Sequence, residues 1–195
     1  MRYASEHKQK TRAKVLKAAA KAIRAEGPHQ IGVADVMAQA GLTHGGFYAH
    51  FASKDELVAA AIGQMFEEAR ERFLHETHDR SPADALRAYI DFYLSPGHRD
   101  ARRSGCPVAA LASDLPRLSK AALDRFADGS RHMRESLASK LELLGHSDAG
   151  REASSVQAEL LGALSLARVE PDAKRSDAIL ADSRRAIKRR LKLED

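Results

Sequence analysis

Residues 33–51 read V-A-D-V-M-A-Q-A-G-L-T-H-G-G-F-Y-A-H-F, and no other stretch constrains the fold as strongly. Val33, Val36 and Met37 recur at helical spacing, which predicts a short helix from Val33 to Gln39. Gly41 then supplies the left-handed residue that ends a helix in a tight turn. Thr43 suits the cap of a third helix, its hydroxyl accepting from a free N–H, and that helix runs to His50 or Phe51. Phe47 and Phe51 lie four apart and pack back onto the preceding helices as core. Against this stands the Gly45-Gly46 pair, since each glycine costs a helix about 1 kcal/mol relative to alanine. Such a pair marks either a loop or a place where something comes very close to the backbone.

The remaining chain reads as further helices with no run of alternating β-branched residues. From Thr11 to Glu26, Val15, Leu16, Ala19, Ala22 and Ile23 form an apolar stripe, with Lys14, Lys17, Lys21 and Arg24 on the other face. Gly27-Pro28 ends that helix. Ser53-Lys54-Asp55-Glu56 is a capping box opening a long helix through about His75. Ser81-Pro82 starts a helix to Leu94, which Ser95-Pro96-Gly97 ends. A basic loop from His98 to Arg103 leads to Cys106-Pro107 and a short helix through about Asp114. Three long helices follow, Ser119 to Leu144, Ala149 to Val169 and Ala173 to Leu193. The sum is an all-α fold of about nine helices.

Charge separates the chain into two parts. Residues 1–54 carry nine Lys/Arg against three Asp/Glu, whereas the remainder carries 23 against 24. A basic lobe on a neutral body points to an anionic partner, nucleic acid first and a membrane surface second. No apolar run approaches the roughly 20 residues that span a bilayer, and the N-terminus lacks a signal-peptide core. A single cysteine forms no internal disulfide, so a reduced, cytoplasmic setting is expected.

Helix, glycine turn, helix in the basic lobe is the helix-turn-helix arrangement, whose second helix enters the DNA major groove. The string A-G-L-T-H-G-G-F-Y-A-H-F-A-S-K-D-E-L, with V-L-K-A-A-A-K-A-I-R-A-E-G before it, resembles the N-terminal domain of the TetR family of bacterial transcriptional regulators. The resemblance covers about residues 11–60, and beyond it G-C-P-V-A-A-L-A-S-D-L looks like a segment of one subgroup. It implies a DNA-binding domain over 8–54 and an effector-binding and dimerisation domain over 55–195, with 55–75 as connecting helix. It further implies a homodimeric repressor on a pseudo-palindromic double-stranded operator, released by a small-molecule effector.

Roles follow by matched position and chemistry. Thr43 and Tyr48 offer hydroxyls to phosphate oxygens, beside the free N–H groups at the third helix's start. His50 and Lys54 match positions of backbone contacts, Lys54 supplying charge. His44 and the Gly45-Gly46 backbone lie where base edges are read. The plainer alternatives are a hydroxyl-tipped core role for Tyr48 and a packing role for His50. In the body, Phe66, Tyr89, Tyr93, Cys106, Phe126 and Met133 are candidates to line the effector site, although aromatic and Met stripes also serve as plain core.

Enzymatic chemistry finds no motif here: there is no H-E-x-x-H, P-loop or G-x-S-x-G. No cofactor and no metal site is expected, His75 and His78 reading as a solvated helix end. Cys106, before Pro107 and after Arg102 and Arg103, is either a small buried hydrophobe or a redox- or electrophile-responsive thiol.

Overall fold

The computed structural model describes residues 2–194, with side chains described from Glu6 onward. Among these residues there are nine α-helices and three short 3-10 helices, with no strand. The helices are α1 (Arg2–Glu26), α2 (Val33–Gln39), α3 (Lys54–Thr77), α4 (Pro82–Tyr93), α5 (Pro96–Asp100), α6 (Pro107–Leu111), α7 (Lys120–Leu143), α8 (Ala149–Val169) and α9 (Ala173–Arg190). The 3-10 segments span His44–Ala49, Arg102–Ser104 and Leu115–Arg117.

The chain forms two compact units. The first comprises residues up to Glu68 together with Cys106–Gly129; the second comprises Ala69–Gly105 and the residues from Ser130 onward. Both α3 and α7 therefore contribute to each unit. In the first unit, Val15, Ala19 and Ile23 of α1, Val36 and Met37 of α2, and Phe47 and Phe51 are buried together with Leu57, Ile62 and Met65 of α3. The second unit pairs α8 with α9 and packs α4 and α5 against them.

Cap chemistry explains the helix starts. Ser53 Oγ accepts from the Glu56 N–H at 3.1 Å, and the Glu56 carboxylate accepts from the Ala52 N–H at 2.7 Å, so the capping box reaches one residue further back than usual. Ser81 Oγ accepts from the Asp84 N–H at 3.2 Å ahead of Pro82. Gly41 ends the α2 turn at φ +73°, in the left-handed region.

Several expectations are corrected. The third helix is a six-residue 3-10 segment, not an α-helix, held by Gly46 N–H to Thr43 O (3.1 Å) and His50 N–H to Phe47 O (2.9 Å). Two successive glycines weaken its preference for α geometry, and the pinning of the segment at both ends decides between the two closely related helices. Thr43 occupies the cap position in extended backbone, but its side chain makes no capping bond. α1 starts at Arg2, well before Thr11. Arg24 is buried, not on the solvent face, because it donates to the Met65 carbonyl at 3.2 Å and its Nη1 lies 2.8 Å from Glu68. The expected basic loop is helical: Ser95 caps α5 by accepting from the His98 N–H at 3.1 Å, with Pro96 at the first helical position. α6 ends at Leu111, and α9 at Arg190.

Candidate nucleic-acid interface

The recognition segment divides cleanly into an inner and an outer side. Phe47 and Phe51 are 2% and 1% exposed and stack with centroids 5.7 Å apart, as core. Thr43, His44, Gly45 and Tyr48 lie on the exposed side. Tyr48 is 72% exposed, its ring edge-on to Phe47 at 5.2 Å, which removes the hydroxyl-tipped core reading. Tyrosine on a surface commits apolar area to water that an external partner would cover.

The glycines here answer to nothing inside the molecule. A Cβ built at Gly45 meets no atom within 4 Å, and one at Gly46 meets only Met37 Cε at 3.7 Å, an ordinary contact. Neither residue has positive φ. Backbone conformation and packing therefore tolerate a side chain, while the outer space stays open to an approaching surface.

Two basic positions behave differently from each other. Lys54 is half-buried and its Nζ donates to the His29 carbonyl at 2.9 Å, tying the start of α3 to the loop before α2. His50 is half-buried, with Nδ1 buried and no hydrogen-bond partner. Burial, then the charges of Lys8 and Arg12, lower its pKa and favour the neutral ring. Sequence reasoning passed over Lys8 and Arg12, because the apolar stripe becomes visible only from Val15.

Within the first unit, Phe66 and Phe126 meet edge-to-face at 5.4 Å. Phe66 also lies on the α7 backbone, since a Cβ at Gly129 would stand 2.2 Å from its Cγ. Cys106 belongs to this unit too, 5% exposed at the cap of α6. In the second unit Tyr89 and Tyr93 lie 5.9 Å apart, Tyr89 meets Phe73 at 4.8 Å, and Met133 is half-buried on α7. The six effector candidates thus fall into two sets, with Phe66 and Phe126 together in one and Tyr89 and Tyr93 together in the other.

His98 was missed by sequence reasoning and extends the second set. It is buried, edge-on to Tyr93 at 4.8 Å and stacked on Phe92 at 5.0 Å, with Nδ1 2.8 Å from the Tyr93 carbonyl. That contact makes Nδ1–H the donor and tends to raise its pKa. Burial outweighs it, helped by Arg168 and Arg72, and lowers the pKa overall. Beside it, a polar recess of about 230 Å³ is lined by Arg99, Arg102, Arg168, Glu170 and Ser176, among others. Arg99 pairs there with Asp100 beside it and with Asp177 of α9, each at 2.7 Å, and Arg168 of α8 donates to the Arg99 carbonyl at 3.1 Å, which marks the recess as a clasp holding α5 to α8 and α9.

A short helix, a left-handed glycine turn and an exposed second segment define the first unit's head as a helix-turn-helix module. The chain belongs to the TetR family of bacterial regulatory proteins: residues 15–61 match that family, and residues 82–181 match the C-terminal domain of LmrA/YxaF-like transcriptional regulators. The HTH-type transcriptional regulator TtgR of Pseudomonas putida is 38% identical over 79 residues, 40% of this chain and 33% of TtgR. The uncharacterized HTH-type regulator YfiR of Bacillus subtilis is 28% identical over 103 residues, 53% of this chain and 50% of YfiR. The matches thus span a third to a half of those relatives. Reduced E. coli NemR shares the fold with a TM-score of 0.81 at 21% identity, covering 92% of this chain and 96% of NemR. A TetR-family regulator from Agrobacterium tumefaciens reaches 0.78 at 26% identity, covering 94% and 98%. No helix among the described residues is long and apolar enough to cross a membrane.

Proposed function

We propose that this chain is a cytoplasmic repressor of transcription that binds a pseudo-palindromic DNA operator as a homodimer and leaves it when a small molecule binds the body. The observation that carries the reading is the open space at Gly45 beside the exposed Tyr48. A backbone with no side chain there can approach DNA closely, with Thr43, Tyr48 and His50 placed for phosphates and His44 for base edges. In this reading residues 8–54 form the head, residues 55–195 form the body, and 55–75 connects them. Asp195, the last residue of that body, lies outside the described residues.

The dimer half of the reading draws on α8. Its inner side buries Ala153, Val156, Leu160 and Leu164, yet Leu166 and Val169 on the same helix are 60% and 77% exposed. A Cβ at Gly162 meets nothing within 4 Å, so a second helix has room to lie close. An apolar helix open on one side is covered by a mate in a homodimer. Effector release then requires a ligand that binds better to a head spacing mismatched to the two half-sites. Tyr89, Tyr93 and Met133, with His98 added, are the residues proposed to line that site within the second unit, and Phe66, Cys106 and Phe126 are a separate candidate lining within the first.

The test begins with duplexes enriched by the protein from a randomised pool long enough for two half-sites about one helical turn apart. Tyr48→Ala, alone and with Lys54→Ala, should weaken binding at least about tenfold while sedimentation still reports a dimer. The single variant matters because Lys54 also ties down the His29 loop. Unchanged affinity in both would sink the contact assignment.

A further inference from the structure

The turns of α1 ahead of Thr11 carry charge, and their register is informative. Lys8 and Arg12 continue at intervals of three and four the face that holds Val15, Leu16, Ala19 and Ile23. That face is head core from Val15 onward, with Val15, Ala19 and Ile23 buried. Where it turns cationic, the helix passes the end of the recognition segment. The Arg12 guanidinium sits 4.8 Å from the centroid of the Phe51 ring, and Lys8 is exposed one turn earlier. His50, the neighbour of Phe51, has its Nδ1 buried without a hydrogen-bond partner.

We propose that Lys8 and Arg12 form, together with His50, a phosphate clamp through which α1 makes its own contact to the DNA backbone beside the recognition segment. The proposal rests on the DNA-binding reading above. Its chemistry is that of two cations on the α1 face that passes the end of the recognition segment, with an imidazole next to the ring one of them covers. A cation–π contact fixes the guanidinium without consuming its N–H donors, which remain suited to bidentate grip on phosphate oxygens. Lys8 adds a point charge, and Nε2 of His50 completes the set. Burial first, and then the charges of both cations, lower the pKa of the His50 ring, in keeping with their position on this face. Lys14, Lys17 and Lys21 are exposed on the opposite face of α1 and take no part.

The test measures affinity and its salt dependence on a duplex enriched by the wild-type protein. Lys8→Gln with Arg12→Gln should weaken binding about tenfold or more at moderate salt. It should also flatten the slope of log K against log salt by up to about three to four units in a two-headed dimer. The enriched sequence should be unchanged, since phosphate contacts carry no base information. Lys17→Gln with Lys21→Gln removes the same charge from the other face and should leave the slope nearly as in wild type. Equal losses in the two double variants would overturn the clamp in favour of diffuse attraction. So would an unaltered slope in the Lys8/Arg12 variant. If Arg12→Gln loosens the head, seen as a lowered melting temperature, Lys8→Gln alone carries the test with half the slope change. A wild-type protein that enriches no duplex would overturn the DNA-binding reading itself, and the clamp with it.

Discussion

Gly45 and Gly129 belong to the same compact unit and have opposite reasons to be glycine. A Cβ at Gly129 would stand 2.2 Å from the Phe66 ring, so the contact between α3 and α7 is built on the missing side chain. A Cβ at Gly45 would meet nothing within 4 Å. Both residues weaken their helices locally by about 1 kcal/mol against alanine. At Gly129 the return is internal packing of a large aromatic. At Gly45 nothing inside the molecule supplies a return, which directs attention to what lies outside. The pair shows that the meaning of a glycine is set by its neighbours and not by its propensity.

Alanine at each position breaks or sharpens this contrast. Gly129→Ala has the largest expected effect: overpacking against Phe66 should destabilise the protein by about 1–3 kcal/mol, less what helix propensity restores. Denaturant titration measures it, and a variant as stable as wild type would show that Phe66 has somewhere else to go. Gly45→Ala should leave stability unchanged or raised by up to about 1 kcal/mol, because its φ suits an L-residue. The same variant should bind an enriched duplex about tenfold more weakly, since a methyl group at a close-packed interface costs about 1–3 kcal/mol. Retained affinity would remove the main support for close backbone approach.

The smallest effect concerns a group packed inside the second unit. The pKa of His98 is lowered, so the unfolded chain binds a proton more readily than the folded one. The stability it contributes is present above the unfolded histidine pKa and is lost as pH falls through the folded value. Thermal midpoints should therefore drop as pH is lowered below about 6.5, and His98→Gln should flatten that drop. A pH profile identical in the two proteins would show that other groups set it.

Much of the molecule is legible in its sequence. Ser53 and Ser81 announced α3 and α4, because caps act over three or four residues and need no distant partner. The same grammar is present at Ser95-Pro96, which ends one helix and also starts another. The recognition segment and its inner and outer residues could be assigned because Phe47 and Phe51 fall at helical spacing. Its 3-10 geometry could not, since the balance between two closely related helices depends on how the segment is pinned at both ends.

By its own chain order the sequence determined the class of fold, the basic head, the glycine turn and the family resemblance. These rest on local propensity, capping and the period of the apolar residues. Tertiary structure alone decided that Arg24 is buried against Glu68, that His98 sits among aromatic rings, and that Arg12 lies over Phe51. In periodicity each of these reads as an exposed or loop residue, because its charge or polarity outweighs its position. For Arg24 and Arg12 the partner is a group dozens of residues away that no window along the chain contains. For His98 the rings are only five and six residues back, but the break between α4 and α5 folds the ring onto them.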